Sequence, residues 1–199
     1  MYSYYCPNLL FIILKQVFVV DSWHDSLFSR PAWPTLTMTE ENPSTKVFRD
    51  YIRIPSVQPD PDYYEAVEFL VNQAKSLGLP YKTHECCPGK PILIITWEGT
   101  DPSLASVILN SHMDVVPVFP EHWTYEPFSA FKVGFYKSQS WEKLSYRKDE
   151  SGNIYGRGSQ DMKSVGIQHL EAVRRLKAGG VRLRRTIHIT YVPDEGNTK

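Results

Sequence analysis

Apolar side chains recur at helical spacing soon after residue 40, where Val47, Phe48, Tyr51 and Ile52 fall on one face. Asn42-Pro43 just ahead suits a helix start, because proline at the first helical position gives up only an N–H that would have no partner. Pro55, Pro59 and Pro61 end that segment. Asp60 or Asp62 can cap a second helix with the apolar face Ala66, Val67, Leu70, Ala74 and Leu77, stopped at Gly78. A third helix is predicted over Met162–Lys177, with Val165, His169, Val173 and Leu176 inward and Gly179-Gly180 at its end.

Between and after these helices the pattern shortens to strands. Tyr81–Cys86 alternates weakly, and Ile92–Trp97 is a compact β-branched run closed by the turn signal Glu98-Gly99. Val107–Asn110 runs directly into Ser111-His112, and Thr186–Val192 alternates as a strand before Pro193-Asp194-Glu195. Strand, helix, strand in that order points to an α/β fold with a right-handed crossover, hence a mainly parallel sheet flanked by helices. A looped region with Pro117, Pro120 and Pro127 separates the third strand from the third helix. Within it Val133–Lys148 is basic, aromatic and aperiodic, and reads as a segment inserted at 133–148 or as a binding loop.

Residues 1–37 follow another pattern. Leu9–Val20 is apolar but interrupted by Lys15 and Gln16, and is shorter than the roughly 20 residues that cross a bilayer. It lacks the basic start and the clean small-residue cleavage site of a signal peptide. The expected organisation is an upstream extension over 1–37, an enzyme-like segment over 38–195 and a divergent tail over 196–199.

Composition narrows the class. The chain has 199 residues, 42% of them hydrophobic and 22% charged, enough apolar content for a buried core. Twenty-two basic residues balance twenty-two acidic ones, which argues against a nucleic-acid partner. Cys6, Cys86 and Cys87 form neither a disulfide framework nor a Cys-x-x-Cys zinc pair, so a reducing compartment is expected.

Three constellations carry candidate chemistry at places where open α/β sheets bind ligands. His112, with Asp114 two residues on, suits a metal ligand and the carboxylate that orients its ring, or else a partly buried histidine beside a turn aspartate. Asp161 closes Gly156-Arg157-Gly158-Ser159-Gln160 near a helix start, where a carboxylate caps the helix or bridges two metal ions. Glu195, after the apolar strand and Pro193-Asp194, suits a general base, or else belongs to a plain exposed turn.

Taken together, SHMDVVP, GRGSQDMK and VPDE resemble the aminoacylase family of dinuclear zinc amidohydrolases, which is related to bacterial carboxypeptidases and desuccinylases. The resemblance covers Met38 to Glu195 apart from Val133–Lys148. YIRIPSVQPDPDY, HMDVVPVFPEHW and GSQDMKSVGIQHLEAVRRLK look like the aminoacylases rather than their cousins.

The resemblance implies a zinc exopeptidase-like catalytic domain that hydrolyses N-acyl-L-amino acids to a carboxylate and a free amino acid. It makes His112 a zinc ligand, Asp114 its orienting carboxylate, Asp161 the bridge between two zinc ions and Glu195 the general base. It also implies a small-molecule substrate, a cytoplasmic location and a homodimer built through a lid domain. The sequence departs from the family at Gly196, where a second, zinc-binding glutamate is expected, and it stops before the lid and the later ligands. Weak or absent zinc binding and little activity are therefore expected. A non-catalytic truncated form, and a related deacylase or dipeptidase acting on another acyl group, are the rival readings.

Overall fold

The computed structural model describes residues 41–133 and 152–194. The expected extension over 1–37, most of the segment 133–148 and the tail 196–199 lie outside the described residues, as does Glu195.

Three α-helices form where the apolar spacing places them: α1 Pro43–Ile52, α2 Tyr64–Ser76 and α3 Lys163–Ala178. The Asn42 side chain caps α1 by accepting from Ser44 N at 2.9 Å. Asp62, rather than Asp60, serves α2, taking the Tyr64 N–H at 2.9 Å. Gly78 and Gly180 follow α2 and α3 with φ of 61° and 71°, the left-handed region that glycine enters without steric cost. On α3 the buried face is wider than the predicted stripe: Val165 is half-buried, while Gly166, Ile167, Leu170 and Ala172 join His169, Val173 and Leu176 inside.

The strands are β1 Tyr81–Cys87, β2 Lys90–Trp97, β3 Val107–His112, β4 Phe131–Lys132, β5 Ile154–Tyr155 and β6 Ile187–Val192. Four of them make one sheet in the order β1-β2-β6-β3. The α/β class is as expected, but the sheet is mixed: only β3 and β6 run parallel, joined through α3, while β1–β2 and β2–β6 are antiparallel. β1 and β2 are joined by a tight turn at Pro88-Gly89, and a two-residue connection forces antiparallel pairing. β4 and β5 pair separately, and Val133 N donates to Asn153 O at 2.9 Å, so the two ends of the intervening segment meet.

Register puts Leu93, Ile95, Leu109, Ile187, Ile189 and Tyr191 on one sheet face, where they form the core with Tyr51, Leu70, Ala74, Ile167 and Leu170 of the helices. Burial of this face is the main stabilising term of the fold. Lys163, fully buried at the start of α3, donates to Tyr51 O at 3.1 Å and Ile54 O at 2.5 Å, tying α3 to the C-terminal end of α1. Burial pushes its amine down to about 7. None of the described helices is long and apolar enough to cross a membrane.

Candidate active site

Parallel pairing of β3 and β6 brings their C-terminal ends to one edge, so His112 ends β3 opposite Val192. The ladder continues one step past the strands, with Met113 N donating to Val192 O at 2.9 Å. A second short pairing crosses the same loop: Val115 N donates to Ser56 O at 2.8 Å and Gln58 N to Val115 O at 3.0 Å. Ser56 Oγ also donates to Met113 O at 2.5 Å. The loop after α1 is thereby fixed in register against residues 113–115, a long-range contact that no local pattern announces.

Around this edge the structure brings three of the sequence-derived residues together. His112 Nδ1 lies 3.2 Å from Asp114 Oδ1 and 3.0 Å from the Asp114 backbone oxygen. His112 Nε2 lies 3.0 Å from Asp161 Oδ1. Asp161 directly precedes Met162, the N-cap of α3, which receives no side-chain cap bond. The capping reading of Asp161 therefore gives way to a carboxylate directed at His112. Glu195 lies outside the described residues, but its neighbour Asp194 is placed at the end of β6.

Charge and burial set the state of these groups. The Asp114 hydrogen bond raises the His112 imidazole to about 9 against the opposing cost of burial, and Asp161 adds to the rise. Burial pushes the Asp114 carboxyl up, but the bonds from His112 and Gln58 outweigh it and hold the group below the usual carboxylate range. The Asp114 side chain is 8% exposed and that of Asp161 70%. One carboxylate is thus locked in the wall and the other opens to a cavity of about 410 Å³, lined among others by Gln58, His112, Trp123, Arg157 and Asp161. Arg157 lies over the Trp123 ring at 5.0 Å, on the wall of the same cavity.

Several residues of the site carry no motif in the sequence. Gln58 Nε2 donates to Asp114 Oδ2 at 3.0 Å and to Asp194 Oδ1 at 2.7 Å. Tyr63 donates its hydroxyl to Asp194 Oδ1, and Lys90 pairs with Asp194 Oδ2. Asp194 has φ of 51°, a left-handed conformation that is uncommon for a residue with a side chain. Burial raises its carboxyl, and the bonds from Lys90, Tyr63 and Gln58 outweigh that and lower it. Gln58, Tyr63 and Asp194 lie in segments the family resemblance had marked; Lys90 was signalled by nothing.

Residues 108–198 match peptidase family M20/M25/M40. The chain is 55% identical to mouse aminoacylase-1 over 155 residues, covering 78% of this chain and 34% of the mouse protein. It is 53% identical to human aminoacylase-1 over 156 residues, with the same shares covered. The chain thus spans about a third of the length of the curated relatives it matches. Among solved structures, an M20 family metallo-carboxypeptidase of Sulfolobus solfataricus superposes with a TM-score of 0.58 at 18% identity, covering 77% of this chain and 31% of that one. Human carnosine dipeptidase 1 superposes with a TM-score of 0.56 at 20% identity, covering 75% of this chain and 31% of that one. At such identities the shared property is the fold.

Proposed function

We infer that this chain, whose residues 108–198 match peptidase family M20/M25/M40 and which is 55% identical to mouse aminoacylase-1 over 155 residues, carries part of a metal-dependent amidohydrolase site for N-acyl-L-amino acids. The observation that carries this reading is the His112 ring, set between a buried carboxylate on one nitrogen and an exposed carboxylate on the other.

That donor set fits zinc. An imidazole whose far nitrogen is held by a carboxylate is a common form of metal-bound histidine, and nitrogen with carboxylate oxygen suits this ion. No group of three or more His, Cys, Asp or Glu able to hold a metal occurs among the described residues, and His112 and Asp161 are the two donors this reading assigns to the ion. When bound, zinc supplies a Lewis acid for the acyl carbonyl and makes water more acidic.

The remaining chemistry falls to this chain's own residues. Asp114 holds the His112 ring in one orientation and keeps Nε2 turned toward the cavity. Asp161 offers its outer oxygens from the start of α3. Glu195 is assigned as the general base that takes a proton from the attacking water and returns it to the leaving amine. A cytoplasmic location, a homodimer and a pair of zinc ions belong to the same reading.

Gly196, at the position of the expected second glutamate, supports low metal affinity and low turnover in this chain. The test is a zinc titration of the purified chain together with hydrolysis of N-acetyl-L-methionine. The expected result is weak zinc binding that is lost in His112→Ala and in Asp161→Asn, with any hydrolysis removed by Glu195→Gln. Zinc binding untouched by His112→Ala, or turnover that survives Glu195→Gln, would defeat the assignment.

A further inference from the structure

Resting on the role given to His112, we propose that Gln58 is a positioning residue: its side-chain amide ties Asp114, the carboxylate that orients His112, to Asp194 at the end of β6.

The chemistry of the amide makes this arrangement specific. A glutamine NH₂ carries two hydrogens and accepts nothing. Its two shorter contacts, Asp114 Oδ2 at 3.0 Å and Asp194 Oδ1 at 2.7 Å, are carboxylate oxygens that can only accept while ionised, and the Tyr63 hydroxyl lies farther off at 3.5 Å. The network therefore fixes which end of the amide points inward, since the flipped form would set a carbonyl oxygen against two carboxylates. A neutral double donor also separates two like charges that would otherwise repel at this edge.

The tie is built from the backbone outward. Gln58 N donates to Val115 O at 3.0 Å, and the Val57–Val115 bridge fixes the loop in parallel register beside residue 114. The Gln58 side chain is thereby presented between Asp114 and the end of β6. On the far side Asp194 is gripped by Tyr63 of the loop before α2 and by Lys90 of the β1–β2 turn. These groups converge on a residue with φ of 51°, a backbone conformation uncommon for a residue with a side chain. Gln58 is the member that reaches both sides: Asp161–His112–Asp114 on one and Asp194 with Tyr63 and Lys90 on the other.

A structural residue that only filled space would not carry a signal between these halves. The test reads such a signal in the metal-free full-length chain by ¹⁵N NMR of the histidine rings at fixed pH. Lys90→Met removes one grip on Asp194 from the exposed turn, and Asp194→Asn changes the group itself. In the native background both substitutions are expected to shift the His112 ring resonances. In a Gln58→Met background, which keeps side-chain length, the same two substitutions are expected to leave the His112 ring unmoved.

Equal shifts with and without Gln58, or no shift with Gln58 present, would overturn the proposal. Should Gln58→Met not fold, the Gln58 side-chain NH₂ signals of the native chain decide. Two downfield, exchange-protected protons that respond to Lys90→Met support the tie, and free, solvent-averaged ones refute it. None of these readings requires turnover, so failure of the amidohydrolase reading would show separately, in the zinc titration and hydrolysis assay.

Discussion

His112 has unequal partners, and the inequality assigns their work. Asp114 is 8% exposed and held from behind by Gln58, whereas Asp161 is 70% exposed beside the cavity. The buried partner therefore controls ring orientation and basicity. Asp114→Asn should weaken zinc binding by about 10- to 100-fold, the usual effect of losing such a supporting group. Competition titration against a chelator measures this, and an unchanged affinity would remove Asp114 from the role. A second histidine bears on stability instead. His169 sits in the buried face of α3, and burial lowers its ring to about 4 from 6.5. Above pH 6.5 the ring is neutral in both folded and unfolded chains and contributes no pH dependence. Between 6.5 and 4 the unfolded chain binds the additional proton, so stability falls as pH falls, by up to about 1.4 kcal/mol per pH unit. His169→Leu should flatten this acid limb of a plot of urea midpoint against pH. Equal slopes for the two proteins would mean that other groups set the limb.

At the scale of elements, α3 lies so close to the sheet that one position admits no side chain. A Cβ on Gly166 would stand 2.8 Å from Tyr191 Cε1 and 2.9 Å from Ser111 Oγ, and the Gly166 carbonyl accepts the Tyr191 hydroxyl at 2.7 Å. Gly166→Val should cost about 1–3 kcal/mol, the usual effect of overpacking. Because α3 begins just after Asp161, zinc affinity should fall with it; denaturant midpoints and zinc titration measure the two effects. The three helices were legible because their apolar residues keep a helical period and proline or glycine marks their ends. The direction of β2 was not. A compact apolar run serves equally in parallel and antiparallel central strands; its tight turn to β1 fixes the β1–β2 pairing alone, and the antiparallel pairing with β6 has no local signal. Lys163 was also hidden, since a lysine at a helix start reads as solvent-facing, whereas here it is buried against carbonyls of α1. Of the site, residue type and spacing left His112, Asp114 and Asp161 as candidates each with a plain structural alternative, and the family resemblance supplied their roles. Gln58, Tyr63 and Lys90 were not candidates, because each reaches the site by pairing across 56 or more residues with Asp114 or Asp194.

Over the molecule as a whole, the buried helix residues pack on one face of the sheet. The other face carries Ile94, Thr96, Ile108, Asn110, His188 and Thr190, and no described helix covers it. Part of it is internally paired: Thr190 Oγ1 donates to Asn110 Oδ1 at 2.7 Å, and Thr96 Oγ1 lies 3.0 Å from His188 Nδ1. Those pairs satisfy polar groups across neighbouring strands. Ile108 is 64% exposed on β3, the strand at one end of the sheet order. An end strand with an apolar outward residue is a template for another chain, and a lysine at such a position opposes pairing by charge and hydration. Ile108→Lys should therefore lower concentration-dependent self-association while changing the unfolding free energy by no more than about 0.5 kcal/mol, because the substituted side chain lies outside the core. Sedimentation across a concentration series reads the association, and the denaturation curve shows that the fold is intact. If both proteins associate equally, contact between chains runs through a different surface, and the exposed end of β3 is adequately protected by its own polar neighbours.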